Sequence, residues 1–152
     1  MSFSPKKIVV ATDFSPQAAV AADVAADLAL RSGGSLVLFH VVSLATDAGK
    51  PGKPGQPPDA GGEAAFTANA KAQLEGEAER VRKAGVPVTT SVTLYGPPQD
   101  QIAQLAGQQG AELVVVGSHG RTGLKRVLMG SVAEGAVRLC PCPVLVVHLP
   151  RP

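Results

Sequence analysis

Residues 112–131 read ELVVVGSHGRTGLKRVLMGS: an unbroken apolar run, a turn crowded with glycines, hydroxyls and cations, then Gly-Ser. ELVVV has the continuous apolar character of a strand buried on both faces, as parallel strands are. Gly117, Gly120 and Gly123 punctuate the turn, Ser118 and Thr122 supply hydroxyls, and Arg121, Lys125 and Arg126 supply charge. From about Val132 to Arg138 an alanine- and valine-bearing pattern predicts a helix. A strand that passes through such a turn into a helix is one step of a β-α-β unit.

The same alternation extends in both directions. KKIVVAT predicts a first strand from near Lys6, and Ser15-Pro16 then supplies a cap and a proline at the first helical position. In the helix that follows, Asp23, Asp27 and Arg31 form a polar stripe opposite Ala18, Ala21, Ala22, Ala25, Leu28 and Ala29, and Gly33-Gly34 ends it. SLVLFHVV predicts a second buried strand ending near Val42. Nine of the fourteen residues from Gly49 to Gly62 are Gly or Pro, a density that predicts a mobile surface loop at about 44–62.

A second helix is expected from about Glu63 to Ala84, with Phe66, Ala70, Leu74, Ala78 and Val81 inward. Gly76 inside it costs about 1 kcal/mol relative to alanine. VPVTTSVTL alternates with period two, which places a third, half-exposed strand at a sheet edge. Pro97-Pro98 opens a third helix with Ile102, Leu105 and Ala106 inward, Gly110 closes it, and PVLVVHL predicts a fifth strand after the fourth helix.

The sum is an α/β chain whose alternating units form a doubly wound, three-layer parallel sheet of five strands in the expected order 3-2-1-4-5. Ligands of such sheets bind where the winding reverses, at the carboxyl ends of strands one and four. ATD with Asp13 and GSHG stand at those two ends. Glycines that tolerate positive φ let successive N–H groups converge on one anion, and the helix opening at Gly130-Ser131 aims unsatisfied donors at the same place. These features suit a polyphosphate. Neither the G-x-x-x-x-G-K-[ST] loop nor the G-x-G-x-x-G fingerprint occurs, the latter being replaced after strand one by ATDFSP.

Gly117-x2-Gly120-x9-Gly130-Ser131, followed by Val132 and CPCPVLVV, closely resembles the ATP-binding signature of the universal stress protein family. KKIVVATDFS and LFHVV are similar to other segments of that family, and the resemblance covers roughly Lys6 to His148 outside the Gly/Pro-rich loop. It implies the adenine nucleotide alpha-hydrolase-like fold and ATP, with Mg2+, as cofactor. It implies that Ala11, Thr12 and Asp13 face the ribose or a phosphate-bound metal and that the Val41 backbone pairs with the adenine edge. Gly117, Ser118, His119, Gly120 and Arg121 would wrap the ribose and phosphates, with Gly130, Ser131 and Val132 holding the phosphates from below. It also implies a homodimer joined through the C-terminal strand, Pro143–His148.

Asp13 is otherwise a common turn residue, His40 has the position of a satisfied core histidine, and His119 in a glycine turn is read as a donor rather than a base. No second acid or base accompanies Asp13, so the expectation is a regulatory dimer that uses nucleotide as a ligand with at most slow hydrolysis. An adenylate-forming or ATP-hydrolysing enzyme, and an interaction dimer independent of nucleotide, remain the alternatives.

Composition bounds the rest. At 152 residues, 45% hydrophobic and 17% charged, the chain is long enough for a single domain with its own core. With four Phe, one Tyr and no Trp, that core must be aliphatic, and a base-stacking nucleic-acid surface is not expected. The net charge of +2 does not call for a polyanion partner either. No run has the roughly 18 apolar residues of a membrane span, and MSFSPKKIVVATD is cut short by Asp13, so neither membrane insertion nor a signal peptide is expected. Cys140 and Cys142, the only cysteines, read as reduced thiols of a cytoplasmic protein.

Overall fold

The computed structural model describes residues 2–42, 60–94, 96–119 and 129–149. These residues form β1 (Lys7–Ala11), α1 (Pro16–Ser32), β2 (Ser35–Val42), α2 (Ala60–Arg82), β3 (Val88–Leu94), α3 (Pro98–Gln109), β4 (Leu113–Gly117), α4 (Ser131–Leu139) and β5 (Val144–Val147). All neighbouring strands are parallel, and the sheet order is β3-β2-β1-β4-β5. The winding reverses between β1 and β4, as the alternation of the sequence predicts.

Strand side chains alternate between two apolar layers. Ile8, Val10, Leu36, Leu38 and Val115 pack with α1 and α2, whereas Val9, Val37, Phe39, Val114 and Val116 pack with α3 and α4. Both faces of the three inner strands are therefore covered, which is why those strands read as unbroken apolar runs. The edge strand β3 keeps its period of two on the helix side, with Val88 buried and Val92 packed against the α1–α2 layer, while Thr89 is exposed.

Local signals end the helices where expected. The Ser15 hydroxyl accepts from Ala18 N at 3.2 Å, and Gly33 closes α1 in the left-handed region at φ 67°, its N–H reaching the Ala29 carbonyl. The buried stripe of α1 is all alanine and includes Ala26, while Leu28 sits at its margin. Small side chains bring this helix close to the sheet.

One boundary differs. The loop expected at about 44–62 ends earlier, because α2 already begins at Ala60 and includes Gly61 and Gly62; residues 43–59 lie outside the described residues. The leading N–H groups of a helix have no intrahelical partner whatever the residue, so glycine forfeits less there than in mid-helix. Further along, Arg80 joins α2 to α1 through Asp23 at 2.6 Å while also holding Glu77 at 2.6 Å. Arg82 donates to the Val88 carbonyl at 2.9 Å and pairs with Glu75. The Glu77 and Asp23 carboxylates raise the Arg80 pKa further, keeping it charged. These pairs are exposed, so solvent screens them and each adds little to stability.

After α4 the chain passes through Cys140 and Cys142, both free thiols packed against the α3–α4 layer. Burial, and secondarily the neighbouring Cys142, push the Cys140 thiol up to about 11; burial raises Cys142 as well. A raised thiol pKa means that the fold favours the protonated, unreactive form. Iodoacetamide should therefore modify native Cys140 more slowly at pH 8 than the urea-unfolded chain, with the native rate climbing toward pH 11, as peptide mass mapping would report. Gly76 is exposed within α2, and a Cβ there would meet nothing within 4 Å. Gly76→Ala should raise stability by about 1 kcal/mol, read as a higher urea midpoint with an unchanged slope.

Candidate functional site

The crevice at the sheet reversal has two walls. One is the tip of β1. Thr12 N donates to the Phe39 carbonyl at 2.8 Å, extending the pairing with β2 by one residue before the chain turns. Thr12 Oγ1 accepts from Phe14 N at 3.0 Å, and Asp13 Oδ1 accepts from Ser15 N at 2.9 Å. Each short side chain thus closes a turn over the next residues. Phe14 occupies the left-handed region at φ 65°, which for a bulky residue costs about 1–3 kcal/mol and persists only when its surroundings impose it.

Val41 belongs to the same wall. Main-chain groups two residues apart on a strand face the same neighbour. Since Phe39 accepts from Thr12, the N–H and C=O of Val41 face the β1 side too, past the point where β1 has turned away at Asp13. The Ala11 and Val41 side chains both lie on the α3–α4 side of the sheet.

The second wall is the tip of β4. Ser118 is buried, its N–H donates to the Val147 carbonyl at 2.9 Å, and its carbonyl accepts from Gly130 N at 2.6 Å. That last bond ties the start of α4 to the end of β4. A Cβ on Gly130 would stand 3.3 Å from the Ser118 oxygen, a tight contact, and 3.6 Å from His119 Cα, so the approach favours glycine. Gly130 is the N-cap of α4 and offers no side-chain cap, unlike Ser15 at α1. The leading N–H groups of α4, from Ser131, Val132 and Ala133, consequently point out of the helix end with the positive end of its dipole.

Gln17 had no place in the sequence reading. From the first turn of α1, its Oε1 accepts from His119 N at 2.8 Å and from Ser118 Oγ at 3.5 Å. It connects the two walls across about a hundred residues of chain, and a polar residue after Ser-Pro in a helix start carries no local sign of that partner. The His40 imidazole is buried in the core, as read from its strand position, but its Nδ1 lies 2.8 Å from the Thr12 carbonyl and its ring lies against Phe14.

The structure thus brings Ala11, Thr12, Asp13, Val41, Gly117, Ser118, His119, Gly130, Ser131 and Val132 to the ends of β1, β2 and β4 and the start of α4. Gly120 and Arg121, with Gly123, Lys125 and Arg126, lie outside the described residues. Two expectations about glycine and its donors are corrected. Gly117 is an extended strand residue opposite Val147, not a positive-φ residue, and its missing Cβ leaves room for Gln17 Cβ 3.4 Å away. Gly130 has φ −72°, and its N–H is already engaged by Ser118, so it shapes the seat rather than donating to an anion. Among the described residues no cluster of three or more His, Cys, Asp or Glu could hold a metal. Among them, too, no helix is long and apolar enough to cross a membrane.

Comparison with known proteins agrees with this architecture. The model of the universal stress protein family matches residues 5–148. Universal stress protein MJ0531 of Methanocaldococcus jannaschii is 33% identical over 150 residues, covering 96% of this chain and 84% of that protein. The solved structure of MJ0577, a universal stress protein of the same organism, superposes with a TM-score of 0.81 at 26% identity, covering 99% of this chain and all of the other. A universal stress protein crystallised in complex with cAMP superposes with a TM-score of 0.70 at 25% identity, covering 95% and 98% of the two chains. From β1 to β5, then, the chain belongs to the universal stress protein family.

Proposed function

We propose that this chain is a single-domain, ATP-binding universal stress protein that takes the nucleotide, with Mg2+, as a regulatory ligand and turns it over slowly at most. The observation that carries this reading is the uncapped start of α4, tied to the tip of β4 by the Gly130–Ser118 bond and facing the tip of β1 across the sheet reversal. A helix end with exposed N–H groups and a positive dipole binds phosphate. The donors of Ser131 and Val132 and the Ser131 hydroxyl would hold the phosphates, while Gly117, Ser118 and His119 wrap them and the ribose from the β4 side. Asp13, with Ala11 and Thr12, would face the ribose or a phosphate-bound Mg2+, and the outward main chain of Val41 would meet the adenine edge. Gly120 and Arg121 complete the sequence motif. The related protein crystallised with cAMP supports an adenine nucleotide as the class of ligand.

Among the described residues of this arrangement none is placed as a base for an attacking water, and on this reading the nucleotide acts by occupancy. In the cytoplasm the protein would work as a homodimer through Pro143–His148. The outer edge of β5 has no neighbour in the described sheet, and such an apolar edge invites pairing. Sedimentation equilibrium should return twice the chain mass; a monomer at micromolar concentration would discard this assembly.

Titration calorimetry of nucleotide-free protein with ATP and Mg2+ tests the ligand. Wild-type protein should bind, and Gly130→Val should abolish binding, because a branched side chain there would crowd the Ser118 carbonyl and His119 at the start of α4. Asp13→Asn should weaken binding about tenfold, the equivalent of ~1.4 kcal/mol. Undiminished binding in a folded Gly130→Val variant would refute the proposed seat. Release of pyrophosphate with carboxylic acid substrates would favour an adenylate-forming enzyme instead.

A further inference from the structure

We propose that His40 and Phe14 are positioning residues that set the adenosine half of the crevice, a role that rests on the nucleotide reading above. His40 stands on β2 between Phe39, which pairs with the end of β1, and Val41, whose main chain faces the crevice. Its ring is buried on the opposite side of the sheet from Ala11 and Val41. From there the Nδ1–H donates to the Thr12 carbonyl at 2.8 Å, which assigns the tautomer, since a carbonyl only accepts. The same ring lies 4.4 Å from the Phe14 ring, tilted by 36°.

These contacts bracket Asp13 on both sides along the chain. Thr12 is held through its carbonyl and Phe14 through its ring, so the histidine steadies the main chain on either side of Asp13, whose carboxylate accepts from Ser15 N. Phe14 sits at φ 65°, packed against the α1–α2 layer, and borders an open cleft of about 230 Å³ lined also by Thr12, Ser15, Ala19, Gln73 and Glu77. The His40 ring adds to that packing a contact at the tip of β1.

The consequence is a division of labour. The spacing between the adenine contact at Val41 and the ribose contact at Asp13 is governed by neighbouring residues of β2. The phosphate seat is governed separately, by Gln17, Ser118 and Gly130. Loss of the histidine brace should therefore cost recognition of the nucleoside and spare recognition of phosphate.

The test compares ATP, adenosine and inorganic tripolyphosphate by calorimetry on wild type, His40→Phe, His40→Asn and Phe14→Gly, each first shown to be folded by its thermal melt. His40→Phe keeps an aromatic ring but loses the donor, and should weaken ATP and adenosine about tenfold with tripolyphosphate unchanged within about twofold. His40→Asn places an amide donor near the former Nδ1 but lacks the ring against Phe14, and should bind ATP and adenosine more tightly than His40→Phe yet short of wild type. Phe14→Gly fits φ 65° without strain yet removes the ring, and should show the same nucleoside-selective loss even if His40→Phe fails to fold. Equal losses for tripolyphosphate and adenosine, or ATP binding unaltered in both His40→Phe and Phe14→Gly, would overturn the role. Wild-type protein that binds none of the three would overturn the nucleotide reading itself, and this role with it.

Discussion

The parallel pairing of β1 with β4 at the middle of the sheet is the constraint on which the rest depends. Val9 lies opposite Val114 and Val10 opposite Val115, all of them buried. From β1 the chain winds outward through β2 to β3, and from β4 to β5, so the connections after β1 and β4 depart to opposite faces of the sheet. A gap opens between them at the carboxyl ends. The candidate residues among those described stand at the rim of that gap because of this reversal.

What turns a gap into a seat is the pair of short polar bonds that fix its walls. Gly130 N to Ser118 O brings the start of α4 against β4, and Gln17 ties the β4 tip to the first turn of α1. On the other wall, Thr12 and Asp13 close turns over Phe14 and Ser15, while His40 supports them from inside the core. The polar atoms are engaged with the main chain and with each other, leaving the end of one helix directed into the opening. On the proposed reading this would preorganise the donors of that helix end for an anion.

The periodicity of the apolar residues made the fold legible. IVVA, LVLF and LVVV could run unbroken only if helices covered both faces, and the alanine stripe of α1 announced a helix seated close to the sheet. The glycine spacing marked the β4–α4 connection as the candidate site. Glycine spacing did not say what each glycine does, since the same residue type serves a left-handed turn, a strand residue beside Gln17, and a close helix–strand approach. Gln17, Phe14 and the role of His40 were illegible for a different reason: their partners are set by where α1 and β2 lie relative to the strand tips.

The sequence by itself determined the order and type of the elements, the parallel winding, and the two short stretches, ATDFSP and the glycine motif, that mark the ends of β1 and β4. Those follow from local propensity and periodicity, which each segment carries regardless of its neighbours. Tertiary structure alone decided which polar groups were spent in bracing the crevice and which were left facing it. Hydrogen bonds between residues a hundred positions apart, such as Gln17 to His119, depend on distances of tenths of an ångström. Such distances exist only once the layers have packed.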